Sequence, residues 1–95
     1  MPMKKISINE VRSILANMGN TYVSTLSNKE LNSALLQDDL GLTDYEITEL
    51  LQKLEQKGRF FITKPAESFL KNTTSIPVYL LRRICNTYVY ESKPC

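Results

Sequence analysis

Residues 36–55 read Leu36-Gln-Asp-Asp-Leu-Gly-Leu-Thr-Asp-Tyr-Glu-Ile-Thr-Glu-Leu-Leu-Gln-Lys-Leu-Glu55, and the fold turns on how this run is parsed. Thr43 stands three residues before Glu46, with Leu42 just ahead of the pair and Ile47 just behind it. That is a capping box with a hydrophobic staple, in which each polar side chain satisfies a backbone N–H that a helix start leaves open. From Asp44 onward, Ile47, Leu50, Leu51 and Leu54 recur at spacings of three and four. The spacing predicts a helix from Asp44 to about Lys57 with Gly58 as its terminator. Its outer face carries Asp44, Thr48, Glu49, Gln52, Glu55 and Gln56.

The same device occurs twice more. Ser7 and Glu10, flanked by Ile6 and Val11, open a helix from about Ile8 to Met18, which Gly19-Asn20 should stop. Ser27 and Glu30, flanked by Leu26 and Leu31, open a shorter one from Asn28 to about Gln37. Residues 20 to 26, polar and β-branched, read as loop. Arg59-Phe-Phe-Ile62 is an apolar stretch that periodicity leaves as either a strand or a packed loop. Pro65 opens a brief helical turn holding Phe69 and Leu70, and Ser75 caps a last helix from Ile76 to about Cys85 with Pro77 in its first turn. Asn86 to Cys95 reads as a short strand or a frayed tail. The expected architecture is a single all-α domain, a bundle of four helical segments over about 7–85 with a short third helix. Its expected core is Val11, Ile14, Leu15, Leu40, Ile47, Leu50, Leu54, Phe61, Leu80 and Ile84.

Composition narrows the chemistry. With 95 residues, 42% of them hydrophobic and 23% charged, the chain has material for one modest core and too little charge excess for disorder. It has no histidine, which removes the commonest general base and metal ligand and every Ser-His or Cys-His nucleophile. No CxxC pair, HExxH, GxGxxG or GxxxxGK[ST] string appears. These absences predict a protein that is neither an enzyme nor a metal binder. No apolar run approaches the ~18 residues of a membrane span, and Asn9, Glu10 and Arg12 break up any secretory signal. The expectation is a cytoplasmic protein, with Cys85 a packed thiol and Cys95 on the tail, not a disulfide pair.

The net charge of +2 conceals a separation. Residues 38–55 hold Asp38, Asp39, Asp44, Glu46, Glu49 and Glu55 against Lys53, a balance of −5. Residues 56–95 hold seven basic side chains, Arg82 and Arg83 among them, against Glu67 and Glu91, a balance of +5. An acidic helix face of this kind serves as a solvated surface or as a docking surface for a basic partner.

The opening run resembles the central motif of acyl carrier proteins. The family shows an apolar residue, two spacers and Asp-Leu-Gly, here Leu36-Gln-Asp-Asp39-Leu40-Gly41. It then shows an acidic residue at Glu46, Glu-Leu at Glu49-Leu50 and Leu-Glu at Leu54-Glu55. Ile62 and Thr74-Ser75-Ile76 match further landmarks, so the resemblance covers roughly residues 7 to 85. It implies a four-helix carrier-like bundle connected with fatty acid or polyketide metabolism, and a helix after the attachment site that docks to partner proteins. Asp44, Glu46, Glu49 and Glu55 are the matching positions on that helix. The departures matter as much. Asp44 stands where the family carries the serine that takes phosphopantetheine, Thr43 where it has Asp, and Tyr45 where it has Leu or Ile. A carboxylate cannot form that phosphodiester, so no phosphopantetheine cofactor is expected. A free acyl chain lodged in the core is the remaining lipid role the resemblance allows.

A second cadence, Asn28-Lys-Glu-Leu31, Leu40 to Thr43, then Ile47, Leu50, Leu54 and Gly58, resembles winged-helix transcription regulators of the α+β class. In that reading residues 59–62 and 78–81 are wing strands, and the helix from Asp44 enters the major groove. Asp44, Glu46 and Glu49 would then face phosphates carrying one negative charge per ~1.7 Å of duplex. This charge argues against nucleic acid as a partner, so the alternative is a winged-helix regulator that binds DNA despite this helix, or one that binds protein.

Overall fold

The structure, a computed structural model, describes residues 5–72 and 76–87. Five α-helices follow one another: α1 (Ile8–Asn17), α2 (Asn28–Ser33), α3 (Asp44–Gly58), α4 (Lys64–Asn72) and α5 (Val78–Thr87). A 3-10 helix, Thr21–Thr25, joins α1 to α2 where sequence suggested loop. The molecule is an all-α bundle, and no strand forms among the described residues. The winged-helix alternative fails on its wings. Residues 78–81 are the first turn of α5, and residues 59–62 hold no strand, only a single bridge residue at Phe60.

All three capping boxes close in both directions. Ser7, Ser27 and Thr43 each accept the N–H of the glutamate three residues on, and each glutamate accepts the N–H of its cap residue. The staple residues flank these caps as expected, with Ile6, Val11, Leu31, Leu42 and Ile47 buried and Leu26 partly so. Helix α1 ends in a Schellman motif. The Asn20 N–H donates to Leu15 O at 3.0 Å and the Gly19 N–H to Ala16 O at 3.0 Å, with Gly19 at φ +98°.

Four segment ends differ from the sequence reading, two of them for one tertiary reason. Helix α2 stops at Ser33, not Gln37, because the chain goes on to pair antiparallel with the segment leading into α5. The Leu36 N–H donates to Ile76 O and the Val78 N–H to Ala34 O, both at 2.9 Å, around a Leu35–Pro77 bridge. The same pairing holds Ile76 and Pro77 outside the last helix, which starts at Val78. Helix α3 continues through buried Gly58, and Arg59 takes the left-handed position at φ 58°. The segment at Pro65 is a full helix of nine residues, not a brief turn. The Ser75 cap, Cys95 and most of the C-terminal tail lie outside the described residues, while Asn86 and Thr87 belong to α5.

The core joins all five α-helices, the 3-10 helix and the α2–α3 connection. It includes Val11, Ile14, Leu15, Val23, Leu31, Leu36, Leu40, Ile47, Leu50, Leu54, Leu70, Val78 and Ile84. One expected member is displaced by one residue. Phe60 is buried and Phe61 is 46% exposed, because the left-handed turn at Arg59 aims the first of the two rings inward. On α5, Leu81 and Ile84 are buried, and Leu80 is partly buried and packs against the core.

Polar side chains fix how the segments meet. Arg12, on α1, donates from Nη1 to Val23 O and Leu26 O, both at 2.6 Å, and from Nη2 to Asn28 Oδ1, tying down the end of the 3-10 helix and the start of α2. Asn86, in the last turn of α5, accepts the Ile6 N–H at 2.8 Å and donates to Ile6 O at 3.3 Å, while Arg82 Nε also donates to Ile6 O at 3.2 Å. The chain ahead of α1 is thereby anchored to the last helix.

Candidate functional site: the outer face of α3

The Asp-Leu-Gly motif sets where α3 begins. Asp39 Oδ2 accepts the Leu35 N–H at 2.8 Å, which closes the turn back onto the end of the bridge. Leu40 and Leu42 point into the core on either side of Gly41, whose φ of +69° is a conformation glycine adopts without steric cost. The chain then reaches Thr43 extended and turns into α3. These three residues thus have a local structural role: a carboxylate for an open N–H, an apolar anchor and a left-handed pivot.

The four acidic residues singled out on α3 do not form one patch. Asp44 is the first helical residue and is exposed. Among the described residues its carboxylate has no hydrogen-bond or ion-pair partner, although its main-chain oxygen accepts from Thr48 Oγ1 at 3.0 Å. Glu46 is committed to the cap, its Oε1 accepting the Thr43 N–H at 3.0 Å and the Thr43 hydroxyl at 3.2 Å. Glu55 is committed at the other end, its Oε2 accepting the Ile62 N–H at 2.7 Å and its main-chain oxygen accepting the N–H groups of Arg59 and Phe60. Glu49 approaches Lys53 at 3.9 Å, with both side chains about 40% exposed. A pair so open to solvent contributes little and is readily exchanged.

Helix geometry separates them further. At 3.6 residues per turn Glu46 stands about 160° round the axis from Asp44, and Glu55 lies about 16 Å along it. The carboxylates open to a partner are therefore Asp44 and Glu49. Between them on the solvent side are Tyr45, Thr48 and Gln52, and Tyr45 is 79% exposed. The sequence reading left Tyr45 out of the outer face, although its angular position among the polar residues places it there.

The basic half of the chain is partly consumed in holding the fold. Arg82 donates to Ile6 O and, through Nη1, to Asn32 Oδ1 at 3.0 Å, so it braces α5 against α2 and the N-terminal segment. Lys71 lies 3.9 Å from Glu67 on α4. Arg83, Lys57 and Arg59 remain exposed.

Cys85 is buried and unpaired, and burial, reinforced by the charge of Glu55, pushes its thiol up to about 12. Such a thiol is a packing residue, as the sequence suggested. No helix among the described residues is long and apolar enough to cross a membrane. No family model, curated protein or solved structure matches this chain.

Proposed function

We propose that this protein is an acyl-carrier-like binding module that carries no phosphopantetheine and acts by docking, through the outer face of α3, to a basic surface on a partner protein. The observation that supports the reading most is the state of the α3 amino terminus. At the position where the resemblance calls for a serine, the chain presents an exposed carboxylate, Asp44. The adjacent hydroxyl, Thr43, is spent on the cap: its Oγ1 accepts the Glu46 N–H at 3.1 Å and donates to Glu46 Oε1 at 3.2 Å. A phosphodiester at Thr43 would dismantle the start of the helix. What α3 retains is length, rigidity and an outward face with two solvent-open carboxylates, which suits charge-steered recognition that weakens with salt. Binding rather than catalysis, in the cytoplasm and in a setting of fatty acid or polyketide metabolism, belongs to the same proposal.

The test is intact mass after incubation with coenzyme A and a broad-specificity phosphopantetheinyl transferase, for the wild type and for Asp44→Ser. Modification of the Asp44→Ser variant alone supports the carrier-like reading. Gain of the arm by the wild type defeats the non-carrier claim. If neither protein is modified, the likeness to carriers loses its support.

A further inference from the structure

Resting on the docking role just proposed, we infer that the contact at the centre of this surface is an arginine of the partner, stacked on the ring of Tyr45 and hydrogen-bonded to the carboxylate of Glu49. Tyr45 and Glu49 are four residues apart on α3, so their side chains are neighbours on one face. The ring is 79% exposed, and Glu49 is engaged only by a solvent-open lysine at 3.9 Å. An incoming cation therefore displaces little. Asp44, one residue before the ring and unpaired among the described residues, adds negative potential at the positively polarised start of the helix.

This combination selects arginine over lysine. A guanidinium is planar, weakly hydrated and forked, so it can lie flat on an aromatic face while its edge donates two N–H groups to one carboxylate. An ammonium is a compact, strongly hydrated charge that gains from the carboxylate but cannot do both. Tyrosine and arginine are also the residues that most often carry the energy of a protein interface. The remaining positions along the face, half-buried Thr48 and exposed Gln52 and Gln56, are neutral and leave room for a segment to lie beside the ring.

The experiment is a 15N NMR titration of the full chain at low ionic strength. Its probes are two amidated alanine-based helical peptides of equal charge, one bearing three arginines at four-residue spacing and the other three lysines. The expected result is amide shifts centred on residues 44–52, with the arginine peptide binding about two- to fivefold more tightly, the factor of a cation–π contact at an exposed site. Tyr45→Leu should abolish that preference while leaving lysine-peptide binding in place, Tyr45→Phe should keep it, and Glu49→Gln should weaken both peptides. These side chains are outside the core, so a native-like spectrum for each variant is expected and is read in the same titration. Equal affinity for the two peptides, or a preference that survives Tyr45→Leu, overturns the arginine inference and leaves the docking role standing. Shifts absent from α3 with both peptides overturn the two together.

Discussion

Arg59 occupies the one left-handed non-glycine conformation among the described residues, and replacing it with glycine should make the protein more stable. At φ 58° and ψ 49° an L side chain brings its Cβ against the following carbonyl, a strain of about 1–2 kcal/mol that glycine escapes. Against that gain stands the greater freedom of glycine in the unfolded chain, worth about 0.5–1 kcal/mol. The side chain is exposed, so little packing is lost. The net expectation is a gain of about 0.5–1 kcal/mol. For 95 residues the unfolding entropy near the midpoint is roughly 0.2 kcal/mol/K, so the transition should rise by about 3–5 °C. The assay is thermal and urea denaturation followed by circular dichroism, with Arg59→Ala as the control. Alanine removes the same long side chain but keeps the Cβ, so it should leave stability near the wild-type value. If Arg59→Ala and Arg59→Gly shift the midpoint equally, the backbone explanation is wrong and the effect belongs to the arginine side chain.

Phe60→Ala, which empties a fully buried ring site, should cost about 3–5 kcal/mol in urea titrations, enough to threaten folding of so small a domain. Arg12→Met removes the donors of three hydrogen bonds, leaving Val23 O, Leu26 O and Asn28 Oδ1 without that partner, and should cost about 1.5–3 kcal/mol, with the 3-10 segment showing the largest rise in amide exchange. The Ser27 cap holds the Glu30 carboxyl below its ordinary value, first through the backbone N–H and then through the hydroxyl. A depressed carboxyl stabilises the fold above its ordinary unfolded value and loses that contribution as pH falls through the lower folded value. The deficit of Ser27→Ala in urea titrations should therefore shrink between pH 6 and pH 3, and a pH-independent deficit would exclude the linkage. Burial that lifts the Cys85 thiol to about 12 should leave it inert to iodoacetamide at pH 8 in a Cys95→Ser background until urea unfolds the chain. Equal rates in native and unfolded protein would place it at the surface.

Helix starts were the most legible elements because they are written in adjacent residues. Ser7-Glu10, Ser27-Glu30 and Thr43-Glu46 each carry both halves of a reciprocal cap, and each forms. Helix ends were less legible. Gly19 stops α1 because nothing else competes for its position, whereas Gly58 is carried into α3 and passes the left-handed residue to Arg59. On the proposed site, the sequence located the acidic helix but overcounted its available charge, since Glu46 and Glu55 turn inward to backbone N–H groups. Glu46 could have been discounted from its cap spacing alone. Glu55 could not, because its acceptor role depends on how residues 59–62 fold back.

By itself the sequence determined the starting points of α1, α2 and α3, the apolar stripe of α3 and the absence of serine at position 44, and it favoured an all-α bundle over a winged helix. All of these rest on interactions within about one helical turn, where residue type and spacing suffice. The tertiary structure decided the rest. It chose Phe60 over Phe61, cut α2 short to pair Leu35 with Pro77, and used Arg12, Arg82 and Asn86 as internal ties. Those outcomes depend on groups as far apart in the chain as Ile6 and Asn86. Local spacing carries no record of such pairings, because they form only once the core has brought the segments together.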